Sequence, residues 1–166
     1  IDGNYYNLFY DNLFYLDAES VMQPELATSW TIADDGSSMT LQLREGVSFH
    51  DGTPFNAAAV EYSIERALDT DLNAPHTSDI SAVASVDVLS DYKVRINFDG
   101  FNGAVIPGLA NEAGMIVSPT AAETEGFARN PVGTGPFRFV EWRSGDRIVG
   151  TRNPDYWRTD AEGRTL

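Results

Sequence analysis

Residues 24–55 read PELATSWTIADDGSSMTLQLREGVSFHDGTPF, and this stretch decides the fold expected of the chain. Within it the apolar residues Met39, Leu41 and Leu43 alternate with polar ones. A period of two is typical of a strand with one buried face. The Asp-Asp-Gly before this strand and the His-Asp-Gly after it predict tight turns, because Asp bonds to its own backbone and Gly tolerates a positive φ. The stretch therefore predicts a half-buried strand held between two turns.

The segments that follow predict helices and hairpins. Asn56 is a suitable N-cap for an amphipathic helix, and Ser118 followed by a proline marks a second helix start. A short helix is expected over residues 104–109. Alternating apolar residues in 80–98 and in 137–152 predict two β-hairpins. Together these elements predict an α/β (α+β) fold, a small twisted, mostly antiparallel sheet with flanking helices.

The aromatic segment near the start of the chain predicts one more helix. Residues 4–17 read NYYNLFYDNLFYLD, and their apolar side chains recur at helical spacing. We expect this stripe of Tyr and Phe to be packed in a core. A surface for a protein partner is the alternative that the same stripe allows.

Composition narrows the function classes. The formal charge is −14, from 25 acidic and 11 basic residues, so a nucleic-acid partner is not expected. There are no cysteines, which excludes disulfides and thiolate chemistry. No apolar run approaches the roughly 20 residues of a membrane helix. No signal peptide is visible at the start of the chain, as is expected of a mature or trimmed form.

The order of motifs resembles a known family. P-x-LA-x-SW, DDG and LREGVSFHDGTPF in residues 24–55 are followed by PVGTGPF in 131–137 and NPDYW in 153–157. This order is similar to that of the family 5 extracellular solute-binding proteins, the peptide, dipeptide and nickel receptors of ABC importers. The resemblance covers nearly the whole chain, and many unlike residues keep their order within it.

The resemblance implies a two-lobed receptor that binds a peptide or similar small solute by lobe closure and delivers it to a membrane ABC permease. It implies no enzymatic activity, catalytic residue, metal or cofactor. A monomer in the periplasm or outside the cell is expected, membrane-associated if it carries a lipid anchor.

The resemblance also implies a division of the chain. Residues 1–23 are expected to be a flanking helical segment of the main lobe, 24–152 the small N-terminal subdomain, and 153–166 the start of a connection back to the main lobe. Because members of the family are longer, the chain is expected to be a fragment that lacks the second lobe.

Two loops are expected to border the ligand cleft, since in the resembling receptors the corresponding loops do so. By motif order they are residues 73–77 and 110–112. The ligand-binding candidates are His76, Thr77, Asn111 and Glu112. His76 and Asn111 offer hydrogen bonds among small residues, and Glu112 suits a cationic group.

Other chemistry finds little support in the sequence. His50 belongs to the His-Asp-Gly turn and is expected to be structural, and no G-x-S-x-G motif accompanies either histidine. The acidic pairs near Asp17 and Asp69 lack the rest of a calcium loop. Gly133-Thr134-Gly135 is expected to be a structural turn, because no Lys-Ser/Thr follows. A small extracytoplasmic hydrolase using a carboxylate pair remains the alternative from another functional class.

Overall fold

A computed structural model describes residues 5–72, 74, 76–100 and 104–166. Its strands, in chain order, are β1 Phe14–Leu16, β2 Met22–Pro24, β3 Ala27–Ile32, β4 Ser38–Leu43, β5 Val83–Ser90, β6 Lys93–Phe98, β7 Phe137–Arg143 and β8 Arg147–Arg152. Its α-helices are α1 Ala57–Leu68, α2 Val105–Leu109 and α3 Pro119–Ala122. Short 3-10 turns lie at Tyr6–Leu8, Thr70–Leu72, Thr77–Ile80, Glu112–Gly114 and Phe127–Arg129.

The described residues form two compact units. The first unit takes its residues from Ile1–Asp11, Gly46–Phe55 and Val117–Leu166, and the second from Asn12–Glu45 and Asn56–Ile116. The predicted division into 1–23, 24–152 and 153–166 stays a prediction. In the described part of the chain no helix is both long and apolar enough to cross a bilayer.

The second unit is built on a four-stranded antiparallel sheet in the order β3-β4-β6-β5. β4 confirms the alternation predicted for it, because Met39, Leu41 and Leu43 are buried. Leu41 pairs with Val94 of β6, which is also buried. The hairpin predicted over 80–98 is β5 and β6, joined by a short turn. Apolar side chains on one face of each strand therefore make a single core layer.

Helix α1 covers that layer. Asn56 caps it as predicted, since its Oδ1 accepts a hydrogen bond of 3.0 Å from the N–H of Ala59. The buried side chains of Val60 and Ile64 lie one turn apart, and α1 packs on β5 and β6. The helix begins at this cap and ends at Leu68, where the loop that starts at Asp69 follows.

The predicted first helix is wrong. Over the described part of 4–17 the chain forms a 3-10 turn at Tyr6–Leu8 and then strand β1, which pairs with β2. The described residues of the 1–23 segment therefore contain no α-helix, and Asn4 lies outside them. Tyr, Phe and Asn are weak helix formers, and Tyr5 provides no side-chain cap. Asp17 instead closes the β1–β2 hairpin, because its carboxylate accepts hydrogen bonds from the backbone of Glu19 and Val21.

The first unit contains the hairpin of β7 and β8 and the glycine-rich segment before it. A Cβ built on Gly133 would lie 2.3 Å from the carbonyl oxygen of Phe9. The N–H of Gly135 donates to that same oxygen over 3.0 Å. Close backbone approach explains the glycines, so the Gly-Thr-Gly sequence is a structural segment as predicted.

Asp11 joins three parts of the first unit. Its buried carboxylate accepts hydrogen bonds from Thr134 Oγ1 at 2.7 Å, Tyr156 OH at 3.1 Å and Trp157 Nε1 at 2.9 Å. A buried carboxylate needs such donors to replace the water that it loses. The GTGP and NPDYW motifs therefore meet on one side chain that the sequence did not single out.

Candidate functional site

The candidate site lies in the second unit, where His76 opens the 3-10 turn Thr77–Ile80. The backbone of His76 is left-handed, with φ 68°, and its carbonyl accepts from the N–H of Asp79 at 2.9 Å. A positive φ is uncommon outside glycine, although histidine tolerates it better than most residues. Asn73 and Pro75, which belong to the same predicted loop, lie outside the described residues.

His76 lies between two carboxylates from different segments. Its Nε2 is 3.0 Å from Glu112 Oε2, and its Nδ1 is 3.3 Å from Asp79 Oδ2. A neutral imidazole has one N–H and can donate to one of them, whereas the protonated ring donates to both. All three side chains are between a third and a half exposed, so each of these two contacts contributes about 1 kcal/mol or less. The two predicted loops therefore meet through polar side chains that remain accessible to solvent.

Thr77 has an anchoring contact instead of an open hydroxyl. Its Oγ1 lies 2.9 Å from the carbonyl oxygens of both Ala67 and Ala74. Since Ala67 is in the last turn of α1, the hydroxyl ties the loop to the end of that helix. The hydroxyl hydrogen is engaged by these carbonyls.

Asn111 is also held by backbone groups. Its Nδ2 donates to the carbonyl oxygen of Pro107 at 2.8 Å, which folds the side chain back onto α2. Its own carbonyl oxygen accepts from Asn12 Nδ2 at 2.7 Å. Asn12 was not among the predicted site residues, because it lies in the aromatic segment that was expected to be a helix. Of the four candidates, the structure brings the side chains of His76 and Glu112 together.

His50 lines a separate cavity of about 250 Å³ in the first unit. Its Nε2 lies 2.9 Å from the carbonyl oxygen of Gly135 and must donate there, since a carbonyl only accepts. Burial lowers the pKa of His50, which outweighs the opposite effect of this hydrogen bond. Its Nδ1 is buried and has no partner in the described chain. A neutral, buried imidazole agrees with the structural role expected of the His-Asp-Gly turn.

Ser118 and Asp51 form a short hydrogen bond in the first unit. Ser118 Oγ donates to Asp51 Oδ2 over 2.5 Å and accepts from the N–H of Ala121. Burial raises the pKa of Asp51, but the hydrogen bonds from Ser118 and Thr53 together bring it below the usual value. Ser118 is thus the cap of α3, as predicted, and it is fully buried.

Metal binding has no geometric support in the residues that the structure describes. No group of three or more His, Asp or Glu side chains there could hold an ion.

A second cavity in the first unit has a volume of about 270 Å³ and a mostly apolar lining. It is lined by Tyr5, Leu8, Phe9, Phe137, Ile148 and Gly150.

Comparison with known proteins gives a consistent result. Residues 21–165 match the family described as bacterial extracellular solute-binding proteins, family 5 Middle. The chain is 36% identical over 151 residues to the glutathione-binding protein GsiB of Shigella flexneri, which covers 90% of this chain and 30% of that relative. The same protein of Escherichia coli strain K12 matches equally well. The chain therefore spans about 30% of the length of these relatives.

Solved structures resemble the chain over most of its length. NikZ from Campylobacter jejuni in complex with Ni(L-His) has a TM-score of 0.84 and 29% identity, covering 95% of this chain and 32% of that one. DppA from Helicobacter pylori in complex with the peptide STSA has a TM-score of 0.82 and 29% identity, covering 100% and 39%. DppA is described as a periplasmic binding protein, and the described chain itself has antiparallel sheets with flanking helices, so the predicted fold class is confirmed.

Proposed function

The chain belongs to the family 5 bacterial extracellular solute-binding proteins, and we propose that it is part of a receptor for a peptide or a similar small solute. The receptor closes its lobes around the solute and delivers it to an ABC permease in the membrane. It works as a monomer in the periplasm or outside the cell, without a cofactor and without changing a covalent bond. Residues 24–152 form its small N-terminal subdomain.

The names of the relatives support this solute class. GsiB is a glutathione-binding protein, and one solved structure is a dipeptide-binding protein in complex with Met-Leu. Glutathione, Met-Leu and STSA are all short peptides. The carboxylate-pair hydrolase and the protein-interaction module are not favoured, because the matching family, GsiB and DppA are all described as solute-binding or binding proteins.

The proposed site rests on one observation, that the two predicted loops contact each other through their side chains. His76 Nε2 and Glu112 Oε2 are 3.0 Å apart, although the residues are far apart in the sequence. Their side chains are partly exposed, so a solute can replace water or one partner of the pair without unfolding the loops. We propose that His76 and Glu112 contact the solute, that Glu112 faces its cationic end, and that Asn111 and Thr77 shape the loops.

Calorimetry on the receptor polypeptide that contains these residues tests the function. We expect one of glutathione, Met-Leu or Ser-Thr-Ser-Ala to bind with micromolar affinity or better and to be recovered unchanged by mass spectrometry. The 166 residues alone should bind far more weakly, because half a cleft leaves most of a solute in water. Turnover of the bound peptide, or a parent reading frame no longer than this chain, would overturn the proposal.

Two variants test the site. Glu112→Gln and His76→Gln should each weaken binding about tenfold, the loss expected for one charge-assisted hydrogen bond. The control Asp87→Asn changes an exposed carboxylate of β5 in the same unit and should leave binding unchanged. Unchanged binding in both test variants would place the solute elsewhere.

A further inference from the structure

We propose that Asn12 is a positioning residue for the loop 110–112, and this inference rests on the proposed function of that loop in solute binding. Asn12 is only 6% exposed. Its Nδ2 donates to the carbonyl oxygens of Leu109, at 3.1 Å, and Asn111, at 2.7 Å. Both N–H bonds of the side-chain amide are therefore used on two carbonyls at the end of α2.

Helix geometry explains why this end needs a donor. The last carbonyls of a helix have no partner within it, and a buried carbonyl without a hydrogen bond is costly. α2 has five residues, and the backbone leaves it at Ala110 without a glycine to close the end. The amide of Asn12 supplies donors from a segment almost a hundred residues away in the sequence.

Asn12 is itself fixed by the chain beside it. Its N–H donates to Glu25 Oε2 at 3.1 Å, and its carbonyl oxygen accepts from the N–H of Leu26 at 3.1 Å. The amide therefore reaches α2 from a backbone that is held on both sides. Hydrogen bonds therefore hold both its main chain and its side chain, so that the amide can support the loop.

The supported carbonyl lies immediately before Glu112. Asn111 also accepts from the N–H of Gly114 at 2.9 Å, which forms the 3-10 turn that carries Glu112. The carboxylate of Glu112 then lies 3.0 Å from His76. A shift of the Asn111 carbonyl moves the start of this turn, so the Glu112 carboxylate depends on Asn12 for its position.

Substitution of Asn12 separates positioning from general stability. Asn12→Asp keeps the shape but replaces both donors by an oxygen that faces two carbonyl oxygens, and Asn12→Ala removes the donors without that repulsion. In the receptor polypeptide, we expect either change to weaken glutathione binding about tenfold and to speed hydrogen exchange of the Gly114 amide about tenfold. Ile64→Val destabilises the same unit from the core of α1 and serves as the matched control. It should leave both values unchanged.

A second control removes an asparagine without touching the loop. Asn97 donates to Ser85 and Asp87 on the open side of the sheet, and Asn97→Ala should leave exchange at Gly114 as it is. The inference is overturned if Asn12→Asp lowers stability and yet changes glutathione binding and Gly114 exchange no more than Ile64→Val does. In that case Asn12 has only a structural role.

The remaining outcomes distinguish this inference from the proposed function. If Glu112→Gln and His76→Gln leave glutathione binding intact, the proposed site fails, and Gly114 exchange alone decides whether Asn12 holds the loop. If the Asn12 variants do not fold, NMR on the unchanged protein decides. A scalar coupling across the hydrogen bond from Asn12 Nδ2 to the Asn111 carbonyl supports the inference. Absence of the coupling together with fast exchange of the side-chain amide overturns it.

Discussion

Replacement of Asp11 by alanine should strongly destabilise the protein. Asp11 is 4% exposed, and its carboxylate accepts three hydrogen bonds, from Thr134, Tyr156 and Trp157. A hydrogen bond to a charged group contributes about 1.5–3 kcal/mol, and losing one partner leaves the other unsatisfied. Because the three share one acceptor, their contributions are not additive. We expect the free energy of unfolding to fall by about 3–5 kcal/mol, a large part of the 5–15 kcal/mol typical of a domain.

Urea unfolding followed by far-UV circular dichroism measures this loss. Asp155→Ala is the matched control, because Asp155 immediately precedes Tyr156, one of the donors to Asp11. Its side chain is 76% exposed and pairs only with Arg138 among the ion pairs that the structure describes. An exposed ion pair contributes at most about 1 kcal/mol, so this variant should unfold close to the unchanged protein. If Asp11→Ala costs no more than Asp155→Ala, three donors around a buried carboxylate do not hold the first unit together.

Three further substitutions test other contacts. Because burial lowers the pKa of His50, the unfolded chain takes up the proton first, and stability should fall as the pH drops below about 6.5. His50→Gln should remove this dependence of the unfolding free energy on pH, measured by urea unfolding. His76→Gln should leave it in place. Ser118→Ala should lower the unfolding free energy by about 1–3 kcal/mol and, by releasing the depressed pKa of Asp51, reduce the loss of stability below about pH 4. Gly133→Ala forces a Cβ to within 2.3 Å of the Phe9 carbonyl oxygen and should cost about 3 kcal/mol, measured as a lower urea midpoint.

The sheet of the second unit was predictable because its signals are local. Met39, Leu41 and Leu43 follow a period of two, and Gly36 takes the positive φ that the acidic turn requires. Asn56 caps the helix that covers them. In each case the residues that specify the element are within a few positions of one another, so no knowledge of distant contacts is needed.

The first segment was not predictable in the same way. The buried apolar residues Phe9, Tyr10, Leu13 and Phe14 come in two adjacent pairs, and this spacing also fits a helical stripe. What decides against the helix is the pairing of β1 with β2. An alternative partner for the backbone is visible only when the tertiary structure is known, and here it outweighs the periodicity.

Only part of the candidate site could be predicted from the sequence. His76 and Glu112 could be proposed from the sequence because their own side chains can hydrogen-bond to a solute or pair with its charge. Asn12 could not, because it binds the carbonyl oxygens of Leu109 and Asn111, and every residue type has a carbonyl. A side chain that holds a loop by its backbone therefore leaves no signature at the loop. The residues that contact a solute can be proposed from motif order, but those that position them emerge only from the hydrogen bonds of the folded chain.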